Sequence, residues 1–205
     1  MSNIKVFEND LPEDLDLSNE KFIGLDNEAL GLVLGRDPLT LVQLGLESKK
    51  FYLIKLNREN YYAPNLVRAL SNENTQYIMH YARQDLLWLK YHLNVKPKNI
   101  FCTKVASKIA RTASSYHGYK DLVKELCGKD ISKKEQQSDW GDPNLSEKQI
   151  KYAASDTEHL FEIRNKLIKM LEREKRIDLF KKSMKVIPIL VDMEMAGYKL
   201  STFEH

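Results

Sequence analysis

An α/β fold is predicted, with strands early in the chain and helices late, and two observations carry that prediction. Short apolar runs bounded by turn residues recur near residues 22–26, 39–45, 51–56 and 76–81, the length and composition of buried strands. Apolar positions with helical period mark segments near 64–71, 83–93, 103–112, 118–127, 147–174 and 177–196. The first strand is Phe22-Ile23-Gly24-Leu25, closed by Asp26 and Glu28. The fourth, Thr75-Gln76-Tyr77-Ile78-Met79-His80-Tyr81, leads into an amphipathic helix carrying Leu86, Leu87 and Leu89. Gly128, Gly141 and Pro143 punctuate a loop over 129–145. After it, Ser146 and Gln149 form a capping-box signature, with Leu145 and Ile150 set as a hydrophobic staple, so a helix starts near Glu147. Its apolar stripe is Ile150, Ala153, Ala154, Leu160, Ile163, Leu167 and Leu171.

Three local patterns on these elements carry chemistry. Side chains two apart on a strand share a face, so Asp26 and Glu28 project together. Burying two like charges at the end of an apolar strand requires a cation, and a divalent ion with several oxygen ligands supplies one. Taken alone, the pair also fits a solvated turn. In His80-Tyr81-Ala82-Arg83-Gln84-Asp85, the acid falls on the first turn of a helix, where the helix dipole by itself favours a carboxylate. In Tyr152-Ala153-Ala154-Ser155-Asp156, the tyrosine and the acid are four apart and stack on one helix face. Aspartate is a weak helix former, so its place in the third turn points to a role, although a surface acid beside a packed tyrosine has the same pattern.

The three patterns come in the chain order and at the wide separations of the DEDD family of 3′-to-5′ exonucleases. The chain resembles the tyrosine-containing branch of that family, the relatives of ribonuclease D. The resemblance continues through Gln136-Gln137-Ser138-Asp139-Trp140 and Gln149-Ile150-Lys151-Tyr152. It is closer still to the compact nanoRNase C group, through Ala63-Pro64-Asn65-Leu66-Val67-Arg68, Phe101-Cys102-Thr103-Lys104 and His117-Gly118. The resemblance covers residues 1–205 as a single exonuclease domain. It implies a ribonuclease H-like mixed sheet flanked by helices, with extra C-terminal helices, and an antiparallel meander followed by helix-flanked strands fits that fold. Asp26, Glu28, Asp85 and Asp156 carry over as metal ligands and Tyr152 as the active-site tyrosine. Leu32 takes the place of an apolar wedge against the terminal base, while the run Ala29 to Leu34 equally reads as core. His80 is a substrate contact or the close of a strand, and His117 with Ser138-Asp139-Trp140 are further pocket candidates. Relatives usually read D-T-E-T where this chain has Asp26-Asn27-Glu28-Ala29. Asn27 should point to the opposite face, and Ala29 lacks the hydroxyl that relatives place beside the site.

These residues support phosphodiester hydrolysis with two divalent cations. No His or Cys cluster with metal spacing is evident, so Mg²⁺ or Mn²⁺ fits better than Zn²⁺. Tyr152 would orient the attacking water, because a phenol is a poor base near neutral pH, or accept its proton where the metals lower the phenol's pKa.

Composition agrees. With 205 residues, 42% of them hydrophobic, the chain can bury one core. The net charge is only +3, but the eleven basic residues from Lys90 to Lys134 face three acids, Asp121, Glu125 and Asp130, a surplus of +8. That surplus suits an approaching polyanion or an ordinary solvated helix face. No apolar run approaches membrane-spanning length and the first residues are polar and acidic, so no membrane partner and a cytoplasmic location are expected. Cys102 and Cys127 read as reduced core thiols.

The chain ends soon after its last helical segment, which favours short single-stranded RNA over folded tRNA. The nanoRNase C resemblance implies oligoribonucleotide clean-up down to dinucleotides, within homo-oligomers that form octameric rings. Val186, Ile187, Ile189, Leu190, Val191, Met193 and Met195 make the last helix apolar around more than one face, as an interface or a core helix would be, and Pro188 should interrupt it. Ribonuclease D-like trimming and single-strand DNA hydrolysis would use the same site. A non-catalytic binding module is disfavoured, since four converging carboxylates without metals would repel phosphates.

Overall fold

The computed structural model describes residues 3–132 and 134–203. Lys133 of the basic run and the side chain of Gln136 lie outside the described residues, as do the two residues at each end of the chain.

Six strands form one sheet: β1 (Ile4–Glu8), β2 (Phe22–Ala29), β3 (Leu39–Leu46), β4 (Phe51–Lys55), β5 (Gln76–Met79) and β6 (Ile100–Cys102), in the order β1-β4-β3-β2-β5-β6. β2, β3 and β4 are an antiparallel meander, whereas β1 joins β4, and β5 and β6 join β2, in parallel. The helices are α1 (Pro64–Leu70), α2 (Ala82–Leu93), α3 (Thr103–Ala110), α4 (Tyr119–Leu122), α5 (Glu147–Glu158), α6 (Leu160–Arg173) and α7 (Ile177–Met195). This is the expected ribonuclease H-like mixed sheet flanked by helices. None of the helices described is long and apolar enough to cross a membrane.

The elements follow from their sequences, with five differences. β1 was not expected: its alternation of apolar and charged residues is short, half-exposed and set among acids, and pairing with β4 is what orders it. β6 has three residues, too few for any periodicity to register. The 118–127 helix is one α-turn followed by a π-helix over Val123–Cys127. The 147–174 helix is two helices meeting at His159. Here the Tyr119 hydroxyl donates to the Ser155 carbonyl at 3.0 Å and accepts the His159 N–H at 3.2 Å, occupying both partners of one i→i−4 bond. A side chain inserted in the ladder breaks a helix whose apolar period continues unbroken, and no local signal in 147–174 announces it. α7, by contrast, runs through Pro188 without interruption.

The capping box forms as expected: Ser146 Oγ accepts the Gln149 N–H, and Gln149 Oε1 accepts the Ser146 N–H. Leu145 and Ile150 both pack against a small cluster of Leu41, Leu53, Trp140 and Ala153. On that face of the sheet α5 lies directly on the strands, and two glycines permit the approach. A Cβ on Gly45 would stand 2.5 Å from Thr157 Oγ1, and one on Gly24 would stand 3.1 Å from the Thr157 carbonyl oxygen. Leu25, Val42, Leu44 and Ile54 belong to the main core with Leu66, Leu70 and Leu86.

Gly45→Ala is therefore expected to push α5 off the sheet and cost about 1–3 kcal/mol, the usual range for overpacking, read as a lower urea midpoint at constant slope. An unchanged midpoint would refute the close packing.

Candidate active site

Three elements place the predicted acids together. β2 presents Asp26 and Glu28 on the face that α5 covers, and a bulge at Glu28/Ala29 re-aims the strand there, since Glu28 pairs with Leu41 but Ala29 with Leu39. Thr40 Oγ1 donates to the Glu28 carbonyl at 2.9 Å and holds the bulged backbone. α5 presents Tyr152 and Asp156 one turn apart, as the spacing requires. α2 begins at Tyr81, whose φ of 68° and ψ of 42° turn the chain abruptly out of β5, so that Asp85 falls on the first turn, 5% exposed.

Carboxylate oxygens of Asp26, Glu28 and Asp156 lie within 4.8 Å of one another. Asp85 shares a hydrogen bond with Asp26. All four acids and Tyr152 line one cleft of about 330 Å³, together with Asn27, His80, Tyr81, Gln84, Lys104 and Tyr119. Asn27 points away from the paired carboxylates as expected, and its Nδ2 donates to the Asp85 carbonyl at 3.2 Å, tying β2 to the start of α2. Ala29 packs half-buried against the main core.

The electrostatics of this cleft are those of negative charge in excess. Burial raises the carboxyl of Glu28 to about 10, reinforced by Asp26 and Asp156. Burial raises Asp26 to about 7, against the lowering effect of its hydrogen bond with Asp85. Asp85 is raised as well, by burial and then by Asp26. The Tyr152 hydroxyl is pushed far up by burial and by Asp156, Glu28 and Asp26, so it is a neutral phenol. This donor set of carboxylate oxygens, crowded and under-compensated, fits hard divalent cations.

His80 lines the cleft, with Nδ1 2.8 Å from Thr103 Oγ1 and its ring 5.6 Å from that of Tyr119. Leu32 is 80% exposed in the loop after β2, which excludes the core alternative, and it is not among the residues lining the cleft. His117 bonds Ser107 and lies outside the lining. The Ser138-Asp139-Trp140 loop braces α5 instead: the Asp139 carbonyl accepts from Gln149 Nε2 at 2.9 Å, and Trp140 is buried 5.9 Å from the Tyr152 ring. Within the basic run, Lys104 reaches the cleft, its Nζ 3.9 Å from the Tyr81 ring centroid, while Lys96, Lys98, Arg111 and Lys124 are ion-paired. A neighbouring hollow shares Ile131, Ser132 and Tyr152 with the cleft and adds Lys134, Lys148 and Lys151.

Sequence reasoning gave no role to Tyr81, Gln84, Lys104 and Tyr119: the first three appear only as text around Asp85 and Cys102, and Tyr119 stands in a generic helical segment. It also missed a Cys–His cluster: folding brings Cys127, His159 and Glu162 within 4.8 Å, although Glu162 already holds Lys166 at 2.6 Å. Cys127 stands 32 positions before His159, and the three-residue spacing of His159 and Glu162 alone does not announce a cluster with it.

Comparison with known proteins agrees with this geometry. A family model described as 3′-5′ exonuclease matches residues 5–172. A ribonuclease D from Gluconacetobacter diazotrophicus is 35% identical over 162 residues, which are 79% of this chain and 41% of that protein. A DNA polymerase I from Aquifex aeolicus is 34% identical over 155 residues, 76% of this chain and 25% of the relative. The chain thus spans less than half the length of these curated relatives. The solved structure of Brucella melitensis NrnC superposes with a TM-score of 0.95 at 34% identity, covering 100% of both chains. That protein has also been solved with bound Mg²⁺ and bound to pGG. Matched by the family model over most of its length and carrying the acidic cleft described above, the chain belongs to the 3′-5′ exonuclease family, of the ribonuclease D and NrnC type.

Proposed function

We propose that this protein is a divalent-cation-dependent 3′-to-5′ exoribonuclease that hydrolyses short single-stranded oligoribonucleotides, dinucleotides included, to 5′-mononucleotides. Residues 1–205 act as one catalytic domain, in the cytoplasm, where Cys102 and Cys127 stay unpaired thiols. The observation that carries the reading is the convergence of Asp26, Glu28 and Asp156 within 4.8 Å, with Asp85 bonded to Asp26 and Tyr152 alongside. Similarity to NrnC along the whole chain, and the pGG bound to that protein, support the short substrate.

Asp26, Glu28, Asp85 and Asp156 hold two Mg²⁺ or Mn²⁺ ions. When bound, such ions supply an activated water and stabilise the leaving oxygen of an in-line displacement. Tyr152, a neutral phenol among its acidic neighbours, orients the attacking water through its hydroxyl. In the same cleft Lys104 offers a positive charge to the substrate backbone, and the half-exposed Tyr81 ring offers a face for a base. His80 contacts the substrate from the same side, and the exposed Leu32 offers an apolar surface to a terminal base.

Self-assembly is part of the proposal. Phe180, Met184, Ile187 and Val191 bury one face of α7 within the chain, while Leu179, Val186 and Ile189 remain exposed on the other. A second copy of the chain, as in an octameric ring, would cover that outer face. The similarity to a DNA polymerase I favours one alternative, a single-strand DNA exonuclease, and the ribonuclease D relatives favour trimming of longer RNA 3′ ends.

A 5′-labelled RNA of about seven nucleotides and the matching dinucleotide, each with Mn²⁺, Mg²⁺ or chelator, separate these readings. Metal-dependent conversion to mononucleotides with the dinucleotide consumed fastest is expected; stalled short products would favour trimming, and preference for the DNA version would favour the alternative. Asp156→Ala and Glu28→Ala should abolish hydrolysis with the fold intact, and Tyr152→Phe should slow it about 10²-fold, the scale of a misplaced reactant. Full activity in either carboxylate variant would sink the assignment.

Protons substitute for cations in the metal-free protein. Glu28 and Asp26 bind protons more tightly folded than unfolded, so their contribution to stability is complete below the ordinary carboxylate range and is lost as pH rises through about 7 and about 10. In chelator, the thermal midpoint should fall from pH ~5 to ~9, and Glu28→Gln should flatten that slope. Identical slopes would contradict the charge crowding.

Ile189→Asp should shift the particle mass measured by light scattering towards the monomer while the thermal midpoint holds. Val191 is wholly buried within the chain, so a charge there would report on folding instead. A wild-type protein that is already monomeric would remove the assembly.

A further inference from the structure

Strand β3 is buried along its whole length and has two polar, hydrogen-bonding side chains, Thr40 and Gln43. Thr40 has its partner in the Glu28 carbonyl. Gln43 is 0% exposed, and both its amide oxygen and its amide nitrogen are without a hydrogen-bond partner among the described residues. An amide in that state costs stability that an apolar side chain of the same shape would not. The position therefore asks for a reason.

Register supplies one. Gln43 stands directly opposite Asp26 in the antiparallel pair, and cross-strand neighbours share a face with Cβ atoms about 5 Å apart. Two residues away on the same face, Leu41 packs with Ala153, and Gly45 lies against Thr157. Gln43 is thus roofed by the turn of α5 between Ala153 and Thr157, the turn that carries Asp156. A donor with no partner is buried between the strand that presents Asp26 and the helix that presents Asp156. Carboxylates that ligate a metal are themselves held by hydrogen-bond donors behind them, and those donors set the orientation of the ligand.

We infer that Gln43 is a positioning residue for the metal centre: its amide nitrogen, unpartnered in this structure and on the residue directly opposite Asp26, turns to donate to the Asp26 carboxylate when a divalent cation is held there and fixes the orientation in which Asp26 ligates it. The inference rests on the cation-dependent reading proposed above. It assigns the amide a role through Asp26, without contact to substrate.

Gln43→Met keeps the shape and removes both polar atoms, and Gln43→Leu does so with a shorter chain. Calorimetric titration of each protein with Mn²⁺, thermal midpoints with and without Mn²⁺, and kcat and KM on a dinucleotide form the test. In Gln43→Met the midpoint in chelator should equal or exceed that of wild type, while Mn²⁺ binds about 10- to 100-fold more weakly, the range for loss of such a support. The upward shift of the midpoint by Mn²⁺ should shrink, and kcat should fall with KM for the dinucleotide unchanged. A lower midpoint in chelator with unchanged Mn²⁺ affinity would assign Gln43 to a structural hydrogen bond or a buried water and overturn the inference, as would failure of both variants to fold. If wild type itself takes up no Mn²⁺, the metal-centre reading fails and the inference with it; if wild type binds and Gln43→Met binds equally, the inference alone fails.

Discussion

Three carboxylates whose oxygens lie within 4.8 Å of one another repel with on the order of 3 kcal/mol for each ionised pair at an effective dielectric near 20. Nothing in those side chains keeps them together, so the scaffold must. β2 is paired on both sides only over Ile23–Gly24; beyond that, at Asp26 and Glu28, the pairing with β5 has ended and the strand is held by β3 alone. The open side is where α2 inserts, and Asn27 ties the two by donating to the Asp85 carbonyl. From the other face α5 is pressed to the sheet through Gly24 and Gly45, which fixes the height of Asp156 above Asp26. The same contacts that keep the acids crowded raise their affinity for protons, and a centre that holds protons so strongly is one that gains most from replacing them with cations.

The break at His159 belongs to this framework. Tyr119 reaches from α4 into the backbone ladder of the α5–α6 segment and takes both ends of the bond between Ser155 and His159. Asp156 lies inside that interrupted turn, so its position is set by a tyrosine 37 residues earlier in the chain and not by helical repetition alone. The same Tyr119 lines the cleft and stands against His80. One side chain therefore links the helix geometry behind Asp156 to the lining of the cleft.

Much of this was legible in the chain, and the physical reason differs by element. The start of α5 was readable because a capping box is a local hydrogen-bond pattern, and the pairing of Tyr152 with Asp156 because helical spacing is local too. Asp26 and Glu28 were readable as a face for the same reason on a strand. Their convergence with Asp85 depended on family resemblance, since no spacing reports which loops meet in space. The helix break, the edge strand β1 and the inward methyl of Ala29 are decided by contacts between distant segments, and Gln43 reads in sequence as one polar residue in an apolar strand. What such a residue does depends on register, and register is a property of the sheet.

Tyr81 shows how local strain serves the same end. A bulky residue in the left-handed region costs on the order of 1–2 kcal/mol, and no side-chain cap at the start of α2 offsets it. The strained turn lets β5 pass into α2 at once, without a connecting loop, which brings Asp85 onto the first turn and within a hydrogen bond of Asp26. A relaxed conformation would need extra residues to reverse direction and would carry Asp85 away from the strand. The turn also leaves the Tyr81 ring half-exposed, with Lys104 over its face and Arg83 5.7 Å from its centre. Strain in one dihedral pair thus brings both the Asp85 carboxyl and an aromatic ring with cations beside it to the lining of one cleft.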